Sequence, residues 1–287
     1  MTNPTAARAT ARRLDRNLVA LAVLTASGMA WGLLALTHGS ALGHSSSTHP
    51  GPGGSVQDDP AGHAGHGGTA DVVPPPALVD GAVVLGAWAL MVVAMMLPPA
   101  LPLLQTVRRL AARRPDPWRL TALSAMTFVG AWTLVGALLM VGDEAVRALA
   151  ARSWPGTDPL WAAGAVVLGA GAYQFTPLKE LCLRGCRSPR SFVLAHWQGR
   201  RSPGAETVAL SGAYALSCIG CCWVLMLICF TVGTAALPVM VGLTVLMAAE
   251  RLVPWGRRLV RPAGLALIAL GTMLLLEAAA PFPPMTL

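Results

Sequence analysis

The chain has 287 residues, of which 54% are hydrophobic and only 12% charged, with a formal net charge of +8. Soluble domains carry about 25% charged residues, so this composition excludes an ordinary soluble enzyme and points to an all-helical membrane bundle. The basic residues stand in short clusters between long apolar runs, the pattern of loops on anionic lipid, which excludes nucleic acid as the partner.

A spanning helix needs roughly 20 mostly apolar residues. Seven segments qualify as candidates: 17–37, 78–98, 120–141, 160–177, 208–232, 235–252 and 263–281. Residues 1–16 form a basic tail with Arg8, Arg12, Arg13 and Arg16. The first apolar run is longer than the 7–15 residues of a signal peptide, so it is read as a retained anchor. Residues 38–77 form one long external loop rich in Gly, Ser, Pro and His, too polar to bury a core. The external stretch near 142–159 carries Asp143, Glu144, Arg147 and Arg152 among apolar residues, as a short interfacial helix does. Residues 78–260 are the expected metal-binding core, and 261–287 the last helix and C-terminus.

Charge sets the orientation. With seven crossings, 19 of the 21 basic residues fall on one side, and only Arg147 and Arg152 on the other. Adding or removing one helix spoils that partition. The expected protein is therefore a multi-pass protein of the plasma (inner) membrane, its N-terminus in the cytoplasm and its C-terminus outside. Gly164, Gly169 and Gly171 are expected to allow close helix contacts.

The fifth segment carries the chemistry. At 100° per residue Cys218, Cys222 and Cys229 fall within roughly 40° of one another, with Met226 and Cys221 flanking them. Thiolates and thioethers are soft donors that select Cu(I), with zinc the second possibility. Met91, Met95 and Met96 close the second segment at a similar predicted depth. Cys182 and Cys186, one turn apart in the basic stretch after the fourth segment, make a second, cytoplasmic pair. His63 and His66, with His38, His44 and His49, suit weak capture of metal in the external loop. Glu250, an ionisable residue near the end of the sixth segment, is a weaker candidate for the metal site, the alternative being a local pair with Arg251.

No Gly-rich phosphate loop or zinc-protease motif is present, so a metal handler is favoured over an enzyme. Two rivals share the residues. Cys218 and Cys221 have the spacing of a dithiol oxidoreductase exchanging with a quinone or partner thiols. Alternatively, the sulfur side chains only pack, in a structural subunit.

The run Ala94-Met95-Met96-Leu97-Pro98, then Tyr173-Gln174-Phe175-Thr176-Pro177-Leu178-Lys179 with Cys182-Leu183 and Cys186-Arg187-Ser188-Pro189, resembles the family called domain of unknown function 2182. Gly212-Ala213-Tyr214, Gly220-Cys221-Cys222-Trp223, Leu225-Met226 and Glu250-Arg251 with Pro254 and Arg257-Arg258 agree in order and spacing, over roughly residues 78–260. Members are described as predicted metal-binding integral membrane proteins, some labelled copper chaperones. The resemblance implies metal binding and, as partner, a copper-accepting membrane or periplasmic protein. This chain has Gly233-Thr234-Ala235-Ala236 where members usually have a Met-Asn pair, which leaves Met240 as the substitute thioether.

Overall fold

The computed structural model describes residues 4–44, 76–112, 114–153, 159–197, 199, 201–232 and 237–279. The described residues form ten α-helices and no strand: α1 (Pro4–His44), α2 (Pro76–Met96), α3 (Leu101–Ala111), α4 (Pro117–Ser153), α5 (Pro159–Tyr173), α6 (Pro177–Arg187), α7 (Pro189–His196), α8 (Pro203–Val232), α9 (Leu237–Leu252) and α10 (Arg257–Ala279). Seven of these begin on a proline. Proline's fixed φ suits the first helical position, and its missing N–H would have no intrahelical partner there anyway. α6 shows the device in full, with Pro177 in the first turn and the Thr176 hydroxyl accepting from the Lys179 N–H at 3.3 Å.

Four stretches are long and apolar enough to cross a membrane: Asp15–Thr37 in α1, Pro117–Val146 in α4, Pro203–Cys229 in α8, and Arg257–Ala279. A fifth is obtained if Gly81–Met96 and Pro98–Ala111 count as one span bent by 52°. The bend has a local cause. Pro98 and Pro99 supply no N–H to the helix ladder, and the chain passes them in a short 3-10 turn before α3. Length and composition thus support four to five spans. Two of the seven predicted segments give shorter helices, α5 with 15 residues and α9 with 16. The fourth segment was drawn too long, because its helix stops at Tyr173 and Thr176-Pro177 open α6.

Two other expectations change. No loop interrupts residues 142–153, because α4 runs on to Ser153 without a proline to stop it. The basic stretch after α5 is largely helical, folded into α6, α7 and the first turns of α8.

α8 is the most buried of the four long spans and lies at the centre, packed by α4, α5, α6, α7 and α9. α10 lies at the periphery and packs chiefly on α5. That contact is close because its glycines leave no side chain between the backbones. A Cβ at Gly171 would stand 2.7 Å from the Ile268 nitrogen, and one at Gly271 2.5 Å from the Leu168 nitrogen. Gly164 faces Leu275 in the same seam, whereas Gly169 meets nothing. Large apolar side chains point outward along α1 (Leu21, Met29), α4 (Met126, Leu138) and α10 (Leu265, Leu276). An apolar surface of this extent is consistent with a lipid bilayer around the molecule.

Candidate metal centre

Midway along α8, Cys218, Cys221 and Cys222 turn into the core, all buried. They do not stand alone. α6 packs across this part of α8 and brings Cys186, also buried, to 3.8 Å from Cys221, sulfur to sulfur. The Cys221 and Cys222 thiols both donate to the Cys218 carbonyl at 3.1 Å. Cys186 and Cys221 are thus a close inter-helix thiol pair, with Cys218 and Cys222 buried beside Cys221 on α8.

The placement of α6 is fixed by contacts on either side. The Tyr214 hydroxyl of α8 donates to the Cys186 carbonyl at 3.0 Å, and the Tyr173 hydroxyl at the end of α5 donates to the Gly220 carbonyl. Gly220 gives room to Cys182, whose sulfur would lie 2.5 Å from an added Cβ. Cys182 therefore rests on the backbone of α8, half-buried, rather than joining the thiol cluster one turn away.

A cation enters the cluster from the last turn of α9. Arg251, 5% exposed, directs Nη2 to Cys222 Sγ at 2.7 Å and Cys221 Sγ at 3.2 Å, with the Cys218 carbonyl oxygen at 3.5 Å. Its neighbour Glu250 turns elsewhere, accepting from the Lys179 ammonium at 2.8 Å in an ion pair buried on both sides. The alternative of a local Glu250–Arg251 pair gives way to two separate partnerships. Adjacent helical side chains point about 100° apart, so they reach different neighbours. The end of α9 is held by Arg187 of α6, which donates to the carbonyls of Glu250, Val253 (2.8 Å) and Pro254 (2.9 Å). Charge on α6 therefore fixes the helix that carries Arg251.

The other residues singled out from sequence fall in three places. Met91, Met95, Met96 and Met226 are buried in the same contiguous core as the cysteines, as is Met240. α2 itself packs chiefly against α1 and α4. Cys229 is buried on α8 but lies seven residues past Cys222, about 10 Å along the axis, too far for one ion to share. His63 and His66, and the stretch 233–236, lie outside the described residues. Among the described residues no group of three or more His, Cys, Asp or Glu side chains is disposed to hold a metal ion. Arg251 is a member of the cluster that sequence reasoning missed. Its signal was present beside Glu250, but Arg251 was counted with the basic residues of the following loop.

Chemically, the cluster joins soft donors to a fixed positive charge in a dry interior. A guanidinium beside sulfur stabilises the thiolate over the thiol, and the thiolate is the metal-binding and nucleophilic form. The comparisons with known proteins bear on that chemistry. A family model described as copper chaperone, PpoB2, matches residues 85–274, a span that holds every cysteine of the chain and Arg251. Neither a curated protein nor a solved structure matches the chain. By the family match the chain belongs to the PpoB2 copper chaperone family.

Proposed function

We propose that the protein is a multi-pass membrane protein that receives and passes on Cu(I) as cargo, using the thiols of Cys186, Cys218, Cys221 and Cys222 beside Arg251. The observation that carries the reading is the convergence of the Cys221 and Cys222 sulfurs on a buried guanidinium whose neighbouring carboxylate is engaged by Lys179, with Cys186 3.8 Å from Cys221. Two thiolates around one Cu(I) leave a net negative charge. In an apolar interior that charge is costly unless a cation balances it, and Arg251 supplies the cation. Cu(I) is soft and needs few ligands, so a pair of sulfurs such as Cys186 and Cys221 suffices, with Met226 as an added thioether. Zn(II) with two thiolates needs no counter-cation and usually takes four ligands, so the same surroundings favour it less.

Met91, Met95 and Met96 are proposed as thioether stations from α2, and Cys182, the least buried cysteine, as the point of exchange with the cytoplasm. His63 and His66 would collect external metal. The proposed topology keeps seven crossings with the N-terminus inside, α5 and α9 being short spans, because this arrangement places 19 of the 21 basic residues on one side. The partner would be a copper-accepting membrane or periplasmic protein. The test is elemental analysis of detergent-purified protein prepared in reducing buffer. Copper retained by wild type and lost from a Cys221→Ser/Cys222→Ser variant supports the reading, and equal copper in both overturns it.

The same geometry favours one form of the oxidoreductase alternative. The 3.8 Å approach of Cys186 and Cys221 makes that inter-helix pair a better dithiol than Cys218 and Cys221. Its oxidation would release two electrons and two protons to a quinone or partner disulfide. Redox cycling without copper content would select it.

A further inference from the structure

A cavity of about 730 Å³ lies beside Lys179, between the α5–α6 turn and the start of α10. Its walls carry Lys179, Arg257, Arg258 and Arg261 against a single carboxylate, Glu180. That carboxylate is already committed. Arg184 and then Arg257 engage it, holding it below the usual carboxylate range and ionised. Arg258 and Arg261 have no ion-pair partner among the described residues.

Gln174 also lines the cavity and is the strongest sign of a missing ligand. It is 4% exposed, yet neither its Nε2 nor its Oε1 has a hydrogen-bond partner. Leaving a buried polar group unpaired costs about 1–3 kcal/mol, and such groups are nearly always satisfied in folded proteins. The ligand that answers this amide must offer an acceptor to the nitrogen and a donor to the oxygen. Lys179, which spends one of its three N–H groups on Glu250, adds a further donor nearby. At the mouth, Phe175 and Trp255 are about half exposed, and beyond them the apolar face of α10 continues with Leu265. Aromatic side chains at the edge of an apolar band are placed as at a membrane interface.

We propose that this cavity binds a phosphate group with an adjacent hydroxyl, presented by the headgroup of an anionic phospholipid such as phosphatidylglycerol. The phosphate would face Lys179, Arg258, Arg261 and the Gln174 nitrogen. The headgroup hydroxyl would donate to the Gln174 oxygen, and the acyl chains would lie along α10. The volume falls within the range of small-ligand pockets. Basic pockets between spanning helices are a known setting for phosphate headgroups. The site uses no cysteine, so its test stands apart from the copper reading.

The experiment is native mass spectrometry of the full-length protein released from nanodiscs of phosphatidylcholine with added phosphatidylglycerol, with thermal unfolding measured in parallel. Wild type is expected to retain phosphatidylglycerol about tenfold over phosphatidylcholine. Arg258→Gln/Arg261→Gln should lose that preference. Arg109→Gln/Arg119→Gln, with the same charge removed outside the cavity, should keep it. Gln174→Leu should fold and be no less stable without the anionic lipid, but gain less from it. Inorganic phosphate is the soluble arm. If phosphate alone stabilises wild type and not the Arg258/Arg261 variant, the oxyanion site stands with a soluble source. Equal retention of both lipids by wild type with no effect of phosphate overturns the proposal. So does equal loss in the two double variants.

Discussion

Replacing Arg251 by leucine removes the charge at the sulfur cluster without adding a donor. The change removes the guanidinium, and leucine brings no thioether to bind Cu(I) in its place. If Cu(I) sits between two thiolates, the site carries one negative charge, and Arg251 lies in contact with two of the sulfurs, at 2.7 and 3.2 Å. A unit charge about 5 Å from the centre of that charge, at an effective dielectric near 20, contributes about 3 kcal/mol. This corresponds to roughly a hundredfold in Kd. Arg251→Lys keeps the charge but not the planar fork and should recover about half of the loss in free energy. Removing one partner of a buried charged interaction is destabilising, so Arg251→Leu should unfold below the wild-type temperature. The assay is competition with a chromophoric Cu(I) chelator under anaerobic, reducing conditions, with thermal unfolding as the control. If Arg251→Leu binds Cu(I) within twofold of wild type, the electrostatic argument fails.

Further outcomes can be checked on the same preparation. Cys222→Ser should weaken Cu(I) binding at least tenfold, Met95→Leu by less, and Cys229→Ser hardly at all, because Cys229 stands about two turns away; a loss at Cys229 equal to that at Cys222 would contradict the assignment. On mild oxidation, peptide mass spectrometry should find a bridge between Cys186 and Cys221 and none between Cys218 and Cys221, whose Cβ atoms on a continuous helix are about 5–6 Å apart. A membrane-impermeant thiol reagent should reach Cys182 in inverted vesicles and not in intact cells, and labelling from outside would reverse the proposed topology. Gly271→Ala should cost about 1–3 kcal/mol by pressing on the Leu168 backbone, while Gly169→Ala, which meets nothing, should be near neutral by thermal unfolding.

Sequence alone determined that the chain is helical, where its apolar segments lie, and which donors stand near one another along a helix. Apolar runs and prolines act locally, so the ten helices begin where proline or a break in hydrophobicity allows, and the shared face of Cys218 and Cys222 follows from helical pitch. It did not determine what meets that face. α8 is apolar around nearly its whole circumference, and in such a helix hydrophobic periodicity does not say which neighbour packs where. Only the packing of α6 across α8 draws Cys186 into the cluster and leaves Cys182 on the Gly220 backbone. Lys179 and Arg251 were read as loop charges because basic clusters usually face the aqueous side. In the folded chain the ends of α6 and α9 turn inward, and burial forces each charge to find its own partner, Glu250 for one and the cysteine sulfurs for the other.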